Sequence, residues 1–208
     1  MEESEQQMIH QMIGRKLLLR SDDIYQYLAA THFNSASSSM KSTYEDRLPI
    51  IRTFMEASKY CQHKSALEEA AFFLRKGLSF FYPEEKWSTR NFDLSFEMTK
   101  SLAKLECILG NFEACMAANQ EILTWSRSTK DTIDTLSIDI NARIAACAYE
   151  EVVAAARRIF YLLGMKLPKR ITPFHLFKKM IEMRKLFDSL KDEGIMSLPS
   201  SDVDSAAA

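Results

Sequence analysis

The side chains best suited to hold a metal or attack a substrate in this 208-residue chain are four histidines (His10, His32, His63, His175) and four cysteines (Cys61, Cys107, Cys115, Cys147). A zinc site needs thiolates or imidazoles at short fixed spacings, and a reactive thiolate needs a base or cation beside it. The cysteines show no Cys-x-x-Cys spacing and lie scattered through apolar helical runs, which predicts free, buried thiols. His10 and His32 fall on amphipathic helices, and His63 and His175 near helix ends, with no third ligand at metal spacing. Partly buried or capping histidines are the expectation. Asp131 and Asp134 share a helix face, with Asp139 further along. They could bind a cation or a basic peptide, but negative charge at a helix start suits the helix dipole, and that reading is preferred.

Phosphate chemistry has no cradle. Neither Gly-x-x-x-x-Gly-Lys-Ser/Thr nor Gly-x-Gly-x-x-Gly occurs among only five glycines, and no nucleophile elbow is present. The sequence therefore predicts no catalytic, cofactor-binding or metal residue. Arg15, Arg143 or the Arg157-Arg158 pair could complete the nucleotide site of an attached ATPase or kinase, though nothing separates them from surface arginines.

Two further groups invite a binding role. Lys166, Lys169, Arg170, Lys178, Lys179, Arg184 and Lys185 interleave with Phe174, Phe177 and Phe187, a pattern that could touch an anionic membrane or nucleic acid. Glu182, Asp188, Asp192 and Glu193 dilute that charge, so a solvated face beside a packed apolar stripe is expected. Phe80-Phe81-Tyr82-Pro83 and Trp87 could anchor a partner, because aromatics dominate binding hot spots, or pack internally, which is preferred.

Whatever these residues do, helices position them. Hydrophobic residues make up 47% of the chain and charged residues 26%, while five glycines and five prolines leave few turns. A net charge of -1 gives no field favouring nucleic acid or an anionic membrane. The acidic Met1-Glu2-Glu3-Ser4-Glu5 is unlike a signal peptide, and no apolar run approaches the roughly 20 residues needed to span a bilayer. A soluble, cytoplasmic chain is expected.

About nine helices follow from the apolar periodicity. The first, from about Ser4 to Leu19, carries Met8, Ile9, Met12 and Ile13; the second starts at Ser21-Asp22-Asp23 and ends in the loop Ala36-Ser37-Ser38-Ser39. The third opens at Tyr44 with Pro49 in its first turn, and the fourth spans Ala66 to about Phe80. Glu84 to Trp87 bridges to the fifth, which begins near Asn91. Gly110-Asn111 separates the fifth from the sixth, glycine closing one helix and asparagine capping the next. Ala114, Cys115 and Ala118 on one face then let the two backbones approach. The seventh starts near Thr129, the eighth ends at Leu163-Gly164, and Thr172-Pro173 launches the ninth.

The chain also repeats itself. Gly110, Phe112, Glu113, Cys115, Ala118, Ile122 and Leu123 match Cys147, Tyr149, Glu150, Val152, Ala155, Ile159 and Phe160, each 37 residues later. Helix–turn–helix units with a period of roughly 34 residues mark tetratricopeptide repeats. Glu106 and Asn119 stand where such a repeat has aromatic residues. The expected fold is all-α, an α-α superhelix of tetratricopeptide-like helical hairpin repeats over 1–196. Residues 197–208 would form a frayed tail or the truncated start of a further repeat.

Several stretches carry a closer resemblance: His10-Gln11-Met12-Ile13-Gly14-Arg15, His32-Phe33-Asn34, Ala66-Leu67-Glu68-Glu69-Ala70 through Gly77-Leu78, Leu109-Gly110-Asn111-Phe112-Glu113, Leu162-Leu163-Gly164-Met165-Lys166-Leu167-Pro168 and Ser197-Leu198-Pro199. Together they resemble the helical repeat region that follows the AAA/STAND-type ATPase domain of large multidomain signalling proteins, many with kinase or cyclase domains. The resemblance implies glycine at Cys147, where this chain has none. It also implies a fragment of a longer protein, and a non-catalytic scaffold for protein–protein interaction or interdomain signal relay. Its partners would be a protein, a peptide or neighbouring domains, with no nucleic acid and no membrane. The alternative is an accessory part of an ATP-binding enzyme. The partner-binding residues are not fixed by the sequence.

Overall fold

The computed structural model describes residues 3–20, 22–36, 44–165 and 172–196. Within them lie ten helices and no strand: α1 (Glu3–Leu17), α2 (Asp23–Ser35), α3 (Tyr44–His63), α4 (Leu67–Ser79), α5 (Pro83–Lys86), α6 (Phe92–Ile108), α7 (Phe112–Trp125), α8 (Thr129–Ala145), α9 (Tyr149–Leu162) and α10 (Pro173–Met196). The additional helix is the four-residue α5, in the segment expected to be a bridge. Proline at its first position supplies a preset φ and gives up no needed donor. The expected tail, 197–208, lies outside the described residues.

Helices pack in chain order from α1 to α4, α4 then packs on α6 past the short α5, and the order resumes from α6 to α9, with α6 also meeting α8. This is the hairpin stacking of an α-α superhelix. The turns explain the regularity. Between α3 and α4, α6 and α7, and α8 and α9, one residue takes the left-handed conformation: Ser65 at φ 59°, Gly110 at 80° and Cys147 at 57°. The next residue's N–H then reaches back to a carbonyl of the closing helix: Ala66 to Cys61 at 2.9 Å, Asn111 to Glu106 at 2.8 Å and Ala148 to Arg143 at 2.9 Å. One hydrogen-bonded turn thus closes three hairpins. Cys147 keeps the turn without glycine, at a cost of about 1–2 kcal/mol for an L-residue in that region.

Asn111 does not cap α7 as expected. Its side chain instead donates to Glu106 Oε2 at 2.8 Å. Asp22 likewise makes no capping bond, whereas Ser128 and Asp131 form a reciprocal capping box that starts α8. Pro49 lies beyond the first turn, inside α3, where its missing N–H removes one helical bond.

The core is unevenly distributed. Phe33, Ile50, Ile51, Phe54, Ala57, Phe73 and Leu74 fill the interior among α2, α3 and α4, each burial contributing roughly 1.5–3 kcal/mol for the large side chains. Gly77 belongs here because a Cβ would sit 2.5 Å from Met98 Cε and 2.9 Å from Phe54 Cβ, so α3, α4 and α6 converge only on a glycine. Beyond α4 the core divides into two small clusters, Trp87, Phe92, Phe96 and Ile122 between the α5 end, α6 and α7, and Ala103, Cys115, Ile138 and Ala142 with Ala118 beside them between α6, α7 and α8. Ala114, expected on that face, is exposed instead. On α9 only Ala155 is buried. Met8, Ile9, Met12 and Ile13 of α1 are exposed, as are Phe174, Phe177, Met180 and Ile181 of α10, so the packed stripe expected there is instead a solvent-facing one.

Candidate docking groove

The thinning of the core leaves a space. The second helices of the last two hairpins, α7 and α9, flank α8 without closing over it, and a groove of about 520 Å³ lies between them. That volume falls within the roughly 300–1,000 Å³ of ligand sites. Asn119, Leu123 and Met116 line the α7 wall, Leu136, Asp139 and Arg143 the floor, and Ala154, Ala155, Glu151 and Arg158 the α9 wall. With two alanines facing it, the α9 side has no long apolar chain to fill the gap.

Asn119 is the unusual member. It is 1% exposed, its Nδ2 lies 3.6 Å from Cys115 Sγ, and its Oδ1 has no hydrogen-bond partner. Exchanging the amide oxygen and nitrogen leaves one polar atom unpaired in either orientation. An unpaired buried polar group costs about 1–3 kcal/mol, which nothing within the fold returns. An aromatic ring here would have filled the space; asparagine leaves it open and polar.

The charges are organised as well. Arg143 Nε donates to Asp139 Oδ2 at 2.7 Å, and Asp139 is buried. The Asp139 bond holds the Arg143 guanidinium above its ordinary value; burial opposes this, and the charges of Asp139 and Glu151 reinforce it. Glu151 therefore acts on Arg143 across the same end of the groove. Arg158, seven residues along α9, is exposed and makes no ion pair among the described residues.

Two other hollows lack an orphaned group. The one beside Arg75, Glu106 and Asn111 is lined by a carboxylate fully engaged by its neighbours. The one between α3 and α6, edged by Arg52, Glu56, Lys59, Asp93 and Glu97, has no unpartnered buried atom.

The residues singled out in the sequence scatter. Asp131 caps α8, Asp134 pairs with Lys100 at 2.6 Å, and Asp139 pairs with Arg143, so the three carboxylates form no common site. Arg15 lies 3.9 Å from Asp46. His10 and His32 do come together, their Nδ1 atoms 2.8 Å apart across α1 and α2, a pairing that spacing did not reveal. No three His, Cys, Asp or Glu side chains converge as metal ligands among the described residues. The basic side chains Lys178, Lys179, Arg184 and Lys185 are solvated on α10, while Lys166, Lys169 and Arg170 lie outside the described residues.

All four thiols are free, but Cys147 is exposed at its turn rather than buried. Burial pushes Cys61 up to about 11 and, with Cys107 adding to it, Cys115 up to about 12, so neither is a ready nucleophile. Phe81 and Trp87 are buried, and exposed Tyr82 lies under the Arg47 guanidinium at 3.9 Å, so this segment packs internally. No described helix is long and apolar enough to cross a membrane. No protein-family model, no curated protein and no solved structure matches the chain.

Proposed function

We propose that this chain is a non-catalytic helical-repeat module that docks a protein segment in the groove between α7 and α9. The segment comes from another protein or from a neighbouring domain of a larger ATPase- or kinase-type signalling protein. The single observation that carries this reading is the open groove between α7 and α9, whose α7 wall holds Asn119, a buried amide with an unsatisfied oxygen. Stacked hairpins offer elongated surfaces suited to peptides, and a segment that draws the occluded Asn119 amide toward the groove supplies the hydrogen bond the fold withholds. Arg143 is already engaged by Asp139, so it is poorly placed to complete a nucleotide site in trans.

The test places a photo-crosslinking amino acid at Gln120, on the groove, and separately at Glu97, in the hollow between α3 and α6. A protein crosslinked from Gln120 but not Glu97, and lost when Asn119→Leu is added, is the expected result. Equal capture from both positions, or none from Gln120, overturns the proposal. The isolated chain is expected to bind no labelled ATP.

A further inference from the structure

We infer that α10 is a self-association element: α10 of a second copy of this chain packs antiparallel on it, covering the apolar stripe that runs through Met180 and Met183.

The stripe is spaced for one partner helix. Leu176, Met180 and Met183 stand four and then three residues apart, and by sequence the alternation continues at Phe187 and Leu190. That is the a/d spacing of a coiled-coil seam. The first three are exposed, at 58%, 68% and 52%. α10 takes no part in the helix-to-helix packing that links α1 to α9. A contiguous exposed apolar face of this kind marks an interface.

The charges say which partner and which way round. On that heptad Lys179 and Glu193 both take position g, and Arg184 takes e. In an antiparallel pair g faces g, so Lys179 of each copy lies beside Glu193 of the other, twice by symmetry. The same arrangement brings the two copies of Arg184 together only once, near the axis. A parallel pair sets g beside e instead, and puts Lys179 against Arg184 on both sides. Opposed helix dipoles favour the antiparallel order too. Lys179 is free to exchange partners, because its bond to Glu182 at 2.6 Å lies on an exposed surface, where an ion pair contributes little. Five basic residues against four acidic ones give α10 no strong attraction to an anionic membrane.

The test is sedimentation equilibrium of the full chain over a range of concentrations. It compares the wild type with Met183→Glu, Lys179→Glu and Lys179→Glu/Glu193→Lys, each checked for helical content. A monomer–dimer equilibrium is expected. Met183→Glu, which sets carboxylates into the seam, should leave a folded monomer. Lys179→Glu should weaken the dimer about tenfold, and adding Glu193→Lys should restore it. A wild-type chain that stays monomeric at every concentration overturns the inference, as does a dimer untouched by Met183→Glu. A dimer tightened or unchanged by Lys179→Glu overturns the antiparallel pairing.

Discussion

Arg75 on α4 and Glu106 on α6 are joined across successive hairpins, with Arg75 Nε 2.7 Å and Nη2 2.6 Å from the same carboxylate oxygen. Asn111 Nδ2 holds the other oxygen at 2.8 Å, so this buried carboxylate is engaged on both sides. Removing a partner leaves a buried charge exposed to its own desolvation penalty. Because Arg75 is half-exposed and Asn111 remains, Arg75→Ala is expected to lower stability by about 2 kcal/mol in urea unfolding. Arg75→Lys, which cannot make both bonds, should recover only part of the loss. An unchanged unfolding midpoint in Arg75→Ala would show that the hairpin interface does not depend on this pair.

Cys147 occupies, without glycine, the same left-handed turn position as Gly110. Cys147→Gly should stabilise the α8–α9 hairpin by about 1 kcal/mol, and Gly110→Ala should destabilise α6–α7 by a similar amount. Hydrogen exchange on each hairpin reads this locally, which suits a repeat array whose units open separately. Faster exchange in Cys147→Gly would contradict the turn assignment.

The His10–His32 contact needs one ring to donate and the other to accept. Burial first, and the neighbouring His10 second, hold the His32 imidazole below its ordinary value. The unfolded chain therefore takes up this proton at a higher pH than the folded chain does. The pair's contribution is complete above about pH 6.5 and is lost as pH falls toward the lowered folded value. The melting temperature should drop between pH 7 and pH 5, and the drop should shrink in His32→Gln. An equal drop in both proteins would show that other groups govern acid sensitivity.

Asn119→Leu exchanges an unpaired buried amide for an apolar side chain of similar size. Stability is expected to rise by about 1 kcal/mol, a melting shift of about 2–4 °C for a chain of this length, while docking is lost. A destabilised variant would mean that the Asn119 amide is already satisfied within the fold.

The helical hairpins were legible because their signals are local. Gly110 and Gly164 stop helices, Ser128 and Asp131 start one, and apolar residues at helical spacing fill α3 and α4. The turn at Cys147 was legible only through its match to Gly110, since its residue type argues against the conformation it adopts. Asn111 was misread because local capping competes with a partner on the preceding helix, Glu106, and that carboxylate takes the side chain. His10 and His32, 22 residues apart, meet through the register of α1 against α2, which spacing along the chain does not encode. The groove had a single trace in the sequence, asparagine at position 119 where an aromatic was expected. That the site is open as well as polar depends on how far α9 stands from α7, a property of packing between hairpins.

The central claim is that the groove between α7 and α9 is the docking surface. Its most direct test is amide chemical-shift mapping of the isotope-labelled chain titrated with a peptide of the segment crosslinked from Gln120. The account predicts perturbations concentrated at Met116–Leu123, Leu136–Arg143 and Glu151–Arg158. Perturbations concentrated instead at Arg52–Lys59 and Asp93–Glu97, along the hollow between α3 and α6, would contradict it.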